Sequence, residues 1–124
     1  MVMARNIALH HHQTFNGKGY PRLKSNGTIL APLDRDYADY QNHAPLSGAE
    51  IPTEALVVGL ADRYDALRSR RPYKDAYSHE KTLALLTRDD RSGISGAEWH
   101  GDKIWQVFEK HHLRFKEVFD DMQN

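Results

Sequence analysis

The stretch Thr53–Arg70, TEALVVGLADRYDALRSR, decides the fold. Pro52, just before it, suits the first helical position, because its fixed backbone angle matches a helix and its missing N–H is not needed there. The run then reads as a helix to about Ser69. Leu56, Leu60, Tyr64 and Leu67 form one face, but Val57, Val58, Ala61 and Ala66 make the other faces apolar too. A helix apolar on most sides is buried on most sides, so this segment is expected at the centre of the molecule. Asp62 lies within it, and an ionised carboxylate in such a place is costly unless paired. Its expected partner is Arg63 or Arg68, an arginine from elsewhere, or a metal ion. Asp65 is a candidate cap or pair partner.

Outward from this helix, the remaining segments also read as helices joined by turns. Val2–His12 has helical composition and opens without a capping residue, and Asn16-Gly17, Gly19 and Pro21 then break the chain. Residues 22–51 show no sustained period, which predicts a long loop. Loops beyond about 12–15 residues are uncommon in compact domains, so this one is expected either to pack through Leu30, Leu33, Tyr37 and Tyr40 or to be mobile. Ser78 is an N-cap for a short helix through Leu83, Leu86 and Thr87, which DDRSGISG ends. A last helix from about Glu98 to Met122 carries Ile104, Phe108, His111, Phe115, Val118 and Met122 as its packing stripe. The fold class expected is all-α, a helical bundle without strands, with residues 1–124 forming one domain.

Composition narrows the function. Seventeen basic residues balance seventeen acidic ones, so no overall field favours a nucleic acid polymer or an anionic membrane. No run approaches the roughly 18 apolar residues of a membrane span, and the opening MVMARNIAL is too short for a secretory signal. A cytoplasmic location is expected. With no cysteine in the chain, metal ligands must be histidine and carboxylate.

Two polar clusters stand out. The first is HHHQTFNGKGYP, His10–Pro21. Adjacent helical residues point about 100° apart, so His11 and His12 suit two neighbouring ions better than one. Oxygen and imidazole donors without sulfur suit iron, manganese or zinc, and paired ions are a recurrent device for cleaving phosphate esters. The bland reading is a solvated trio at a helix C-terminus, where imidazolium suits the dipole. The second cluster is RSRRPYK, Arg68–Lys74. Its arginine forks match phosphate oxygens and Tyr73 offers a face to a base, although clustered charge is also ordinary surface.

HHQTFNGKGYP followed by ALVVGLADRYDALRSRRPYK resembles the HD-GYP family of bacterial signalling hydrolases, and FEKHHLRFKEVFDDM resembles its last helix. The resemblance covers most of the chain. It implies an all-α, metal-dependent phosphodiesterase fold acting on cyclic di-GMP, with iron or manganese ions expected and zinc an alternative. It makes His11, His12 and Asp62 metal ligands, and Gly19, Tyr20 and Pro21 a lip that meets the substrate or a diguanylate cyclase domain. Arg71 and Lys74 become candidate phosphate contacts, and His10 is left without a role.

The sequence departs from the family pattern at Gln13, where the family has Glu, and at Asn16, where it has Asp. Both changes remove a negative charge beside the expected metals, which should weaken the groups that support them. The family's His-Asp pair, its lysine and a further ligand histidine precede the Gly-Tyr-Pro motif, so the resemblance implies a C-terminal half-domain. The expected function is part of a cyclic di-GMP phosphodiesterase, inactive as this chain alone. The alternative is a degenerate, non-catalytic module that binds a protein or nucleotide through the Gly-Tyr-Pro lip. Helices lost with the other half should leave Leu56, Val57, Leu60 and the stripe Ile104–Met122 exposed, so homo-oligomers are expected.

Overall fold

A computed structural model describes residues 2–29 and 42–123. Leu30, Leu33, Tyr37 and Tyr40 lie outside the described residues. The elements are α1 (Val2–His10), β1 (Lys24–Ser25), β2 (Thr28–Ile29), a 3-10 turn (Gly48–Glu50), α2 (Thr53–Arg68), α3 (His79–Thr87), α4 (Gly96–His100) and α5 (Asp102–Gln123). The all-α reading holds, with one local correction. Lys24 pairs with Ile29 and Ser25 with Thr28 in an antiparallel hairpin. Its turn is Asn26-Gly27, both at positive φ (50° and 81°), the dipeptide that best matches the twist of two flanking strands.

The local signals set the helix ends. Pro52 is the N-cap of α2 rather than its first residue. The Ser78 side chain accepts from the Lys81 amide and so caps α3. Ser95 and Glu98 cap α4 reciprocally. The last helix does not start at Glu98: Gly101, at φ 88°, interrupts it and α5 begins at Asp102.

α2 runs between two apolar clusters. Ala55 and Leu56 join Leu23, Leu46 and Ile51 on one side, while Leu60 and Tyr64 join Leu86, Trp105 and Phe108 on the other. Ile104 packs against both. Leu56 and Leu60 are therefore buried, contrary to the exposure expected of them. The stripe of α5 is also rephased. A 3.5-residue step drifts by about 20° per heptad on a straight helix. His111 in the middle and Val118 and Met122 in the last turns lie off the packed face, while Trp105 in the first turn and Phe119 near the end lie on it. No helix among the described residues is long and apolar enough to cross a membrane.

Candidate metal and phosphate cleft

The end of α1 meets the middle of α2 at Gly59. A β-carbon on Gly59 would lie 2.7 Å from the His11 carbonyl oxygen, closer than any side chain can approach, so only glycine allows this crossing. The crossing brings His11 over Asp62, three residues further along α2, with Nε2 and Oδ2 3.7 Å apart. His11 Nδ1–H donates to the Ile7 carbonyl at 2.9 Å, because a carbonyl can only accept. That bond fixes the tautomer and leaves the Nε2 lone pair facing the carboxylate.

Asp62 is not buried: its side chain is 63% exposed. The apolar composition of α2 misleads here, because only the Ala55, Leu56, Gly59, Leu60 and Tyr64 positions are covered and Val57, Ala61 and Asp62 face outward. The expected arginine partners are engaged elsewhere, Arg63 with His100 and Arg68 with Tyr64 and Asp120.

The Gly-Tyr-Pro lip folds back on the histidine turn. A β-carbon on Gly19 would sit 2.4 Å from the His12 carbonyl oxygen and 2.6 Å from the Thr14 amide, so this position also demands glycine. The Tyr20 ring then stacks on His12, with centroids 4.7 Å apart and planes within 18°. Desolvation and the nearby His11 lower the His12 pKa, against a smaller opposing effect of Asp62. The Tyr20–Pro21 peptide is cis, and the Pro21 carbonyl accepts from Gln13 Nε2 at 2.7 Å. Gln13 Oε1 in turn accepts from the Leu46 amide. Asn16 Oδ1 accepts from the Thr14 hydroxyl and the Lys18 amide. Both amides that replace family carboxylates thus hold the loop together.

These residues line a cleft of about 470 Å³. It holds His11, His12, Gly19, Tyr20, Asp62 and Arg71 together, with Lys18, Arg63 and Trp99 on its walls. Lys74 is not brought into it. Arg71 and Lys74 close a tight turn by exchanging backbone bonds across Pro72-Tyr73. The turn leaves Arg71 at the cleft, Tyr73 86% exposed at its tip, and Lys74 folded back under α2. There the Lys74 ammonium donates to the carbonyls of Leu67, Ser69 and Asp75. Tyr73 and Lys74 line a separate hollow. His10 is buried, and burial lowers its pKa.

Sequence reading missed Lys18, Trp99 and the role of Gly59. Lys18 stands inside the quoted motif, but Trp99 carries no local signal. The sequence suggests Arg63 only as a partner for Asp62. Its guanidinium stacks 3.6 Å from the Trp99 ring centroid, and Nη1 donates to His100 Nε2 at 2.8 Å. Burial lowers the Arg63 pKa to about 10 and that of His100 to about 3, so at neutral pH the arginine is charged and the histidine is not.

The donor set fits a divalent cation in part. Ligand bonds of about 2.0–2.2 Å can span two donors at the His11–Asp62 separation, and an imidazole nitrogen beside a carboxylate oxygen suits iron, manganese or zinc. Among the described residues no group of three His, Cys, Asp or Glu side chains comes together to complete such a site.

Comparison with known proteins places the chain in a family. The chain is 36% identical over 86 residues to a cyclic di-GMP phosphodiesterase of Vibrio cholerae, a match over 69% of this chain and 13% of that protein. It is 38% identical over 80 residues to the cyclic di-GMP phosphodiesterase response regulator RpfG of Xanthomonas campestris, covering 64% of this chain and 15% of the relative. The chain is a partial HD-GYP domain. A further relative, a 3'3'-cGAMP-specific phosphodiesterase 2 of Vibrio cholerae, is 30% identical over 81 residues, 65% of this chain and 11% of its own. No protein-family model matches. This HD-GYP chain thus spans roughly an eighth of the length of the curated relatives it matches.

Proposed function

We propose that this chain supplies the Gly-Tyr-Pro half of a metal-dependent phosphodiesterase site for cyclic di-GMP. The observation that carries the reading is the convergence of His11 Nε2 and Asp62 Oδ2, 3.7 Å apart, in a cleft that also holds Lys18, Arg71 and the Tyr20 lip. His11 and Asp62 would hold one divalent ion, iron or manganese being expected, and His12 would face a neighbouring ion. Such ions polarise a phosphoryl oxygen and acidify a bound water. The chain's own side chains bind and orient. Arg71 and Lys18 offer charge-assisted donors to phosphate oxygens, and the Tyr20 ring, seated on His12, walls the entrance. Lys74, with its ammonium committed to three carbonyls, takes no part in this reading. The names of relatives cover both cyclic di-GMP and 3'3'-cGAMP, so the substrate class is a cyclic dinucleotide.

A second reading, a non-catalytic binding module, is favoured by the His11–Asp62 pair gaining no third ligand among the described residues, since catalytic centres usually keep three protein ligands per ion. The phosphodiesterase reading predicts that the purified chain binds cyclic di-GMP, and under neither reading does the chain alone turn it over, even with manganese or ferrous iron. They differ in metal. Under the phosphodiesterase reading, binding of manganese followed by its paramagnetic spectrum is weak in the wild type and abolished in Asp62→Asn and His11→Ala. Metal uptake indifferent to both substitutions overturns it in favour of the module. Turnover that depends on Asp62 would instead show that two copies complete one another's site.

A further inference from the structure

Arg63 presents a charge problem that the His11–Asp62 edge does not use. It is partly withdrawn from solvent on the wall of the cleft, yet among the described residues no carboxylate lies within ion-pair distance of it. The other half-buried arginine of α2, Arg68, donates to Asp120 at 3.0 Å. Asp89 acts on Arg63 only at longer range, and its carboxylate accepts the amides of Arg91 and Ser92. What holds Arg63 is neutral: the Trp99 ring at 3.6 Å and the His100 imidazole at 2.8 Å. Stacking on Trp99 covers one face of the guanidinium and His100 accepts one of its five N–H groups. The planar fork is thereby fixed in orientation while no carboxylate among the described residues contacts its charge.

Buried charges are normally paired. A cation pre-positioned on an aromatic shelf, without a counterion of its own, is suited to take one from a ligand. Lys18 and Arg71 line the same cleft and add positive charge there, and its two carboxylates, Asp62 and Asp65, form no ion pair with Arg63. Arg63 follows Asp62 directly, and successive helical residues diverge by about 100°, so it belongs to the wall next to the proposed metal edge rather than to the edge itself.

We infer that Arg63, shelved on Trp99 and braced by His100, is a phosphate-binding residue of the cleft, taking the phosphoryl group of a dinucleotide that does not sit at the His11–Asp62 edge. The inference rests on the phosphodiester reading for the identity of the ligand, but not for its anionic chemistry. It gives Arg63 a reason to lack a protein carboxylate and gives Trp99 and His100 a positioning role.

The test is isothermal titration of the purified chain with cyclic di-GMP and, separately, with inorganic pyrophosphate, comparing wild type, Arg63→Gln and Arg63→Lys. Loss of a charged hydrogen bond corresponds to roughly a 10- to 100-fold weakening. That is the result expected for Arg63→Gln with both ligands, with Arg63→Lys between it and wild type, because ammonium keeps the charge and loses the fork. Unchanged affinity in Arg63→Gln, or a wild type that binds neither ligand, overturns the inference. Pyrophosphate binding that depends on Arg63, without binding of cyclic di-GMP, sustains it and refutes the dinucleotide reading instead. If Arg63→Gln does not fold, modification of wild-type Arg63 by phenylglyoxal decides, read by peptide mass. Protection by either ligand supports the role and equal labelling with and without them refutes it.

Discussion

Gln13 shows how one amide is used at the residue scale. It is 3% exposed, and it donates to Pro21 and accepts from Leu46, so it ties the lip to the segment that precedes the 3-10 turn. A carboxylate can do only the second of these. Gln13→Glu should therefore cost about 1–3 kcal/mol at pH 7, the penalty for a buried acceptor left facing an acceptor. It should recover in part in acid, where the protonated side chain can donate again. Urea titration at pH 7 and pH 4 checks this, and equal stability of variant and wild type at pH 7 would contradict it. His100 gives the opposite pH signature. Its folded pKa, about 3, lies below the roughly 6.5 of an unfolded histidine. Below pH 6.5 the unfolded chain thus takes up the proton more readily. The contribution of His100 is fully present above pH 6.5 and is lost as pH falls towards 3, by up to about 1.4 kcal/mol per pH unit. Wild type should lose about 2 kcal/mol between pH 6.5 and 5 from this residue alone. His100→Gln, which retains an acceptor for Arg63, should flatten the profile. Denaturant midpoints measured across that range decide the matter.

At the scale of elements, the α1–α2 crossing carries the site. Gly59→Ala would gain up to about 1 kcal/mol in helix propensity. It would also push a methyl against the His11 carbonyl, and overpacking against backbone costs typically about 1–3 kcal/mol. The clash should win: chemical denaturation is expected to show net destabilisation, and the variant should hold manganese less well than wild type because His11 is lifted off Asp62. A stabilised variant would show that α1 does not bear on α2 at this point. The same crossing explains what could be read in advance. The starts of α2 and α3 were legible because Pro52 and Ser78 act locally, and His11 with Asp62 because a motif marks both. The hairpin at Asn26-Gly27 was overlooked although its dipeptide is a local signal. The exposure of Asp62, the retreat of Lys74 and the arrival of Trp99 were not legible. Each depends on which face of an element another element covers, and composition along one helix carries no information about that. The cutoff between Arg71 and Lys74 is set by a four-residue turn that reverses the chain between them.

At the scale of the whole molecule, the apolar surface left open has a definite place. Leu56 and Leu60 are covered, but Val57 is 48% exposed, Val107 60%, Val118 48% and Met122 77%. Two hollows follow the α2–α5 seam, one lined by Val57, Ile104, Val107 and Phe115 and the next by Ala61, Phe115, Val118 and Met122. Phe115 is common to both, so they form one apolar strip rather than scattered side chains. Contiguous apolar strips on soluble domains tend to be covered by a partner. Here the cover available to the purified chain is a second copy, so light scattering should show mass rising with concentration from the 14.3 kDa of a single chain. Lysine at Val107 and Val118 together should hold the chain at monomer mass. Because Val107 is 60% and Val118 48% exposed, their replacement removes little buried area, and the thermal midpoint at low concentration should change by no more than surface substitutions commonly do, about 0.5 kcal/mol equivalent. A wild type that stays monomeric at millimolar concentration would mean that the strip is too small to drive association by itself. A variant that associates as strongly as wild type would move the contact away from the α2–α5 seam.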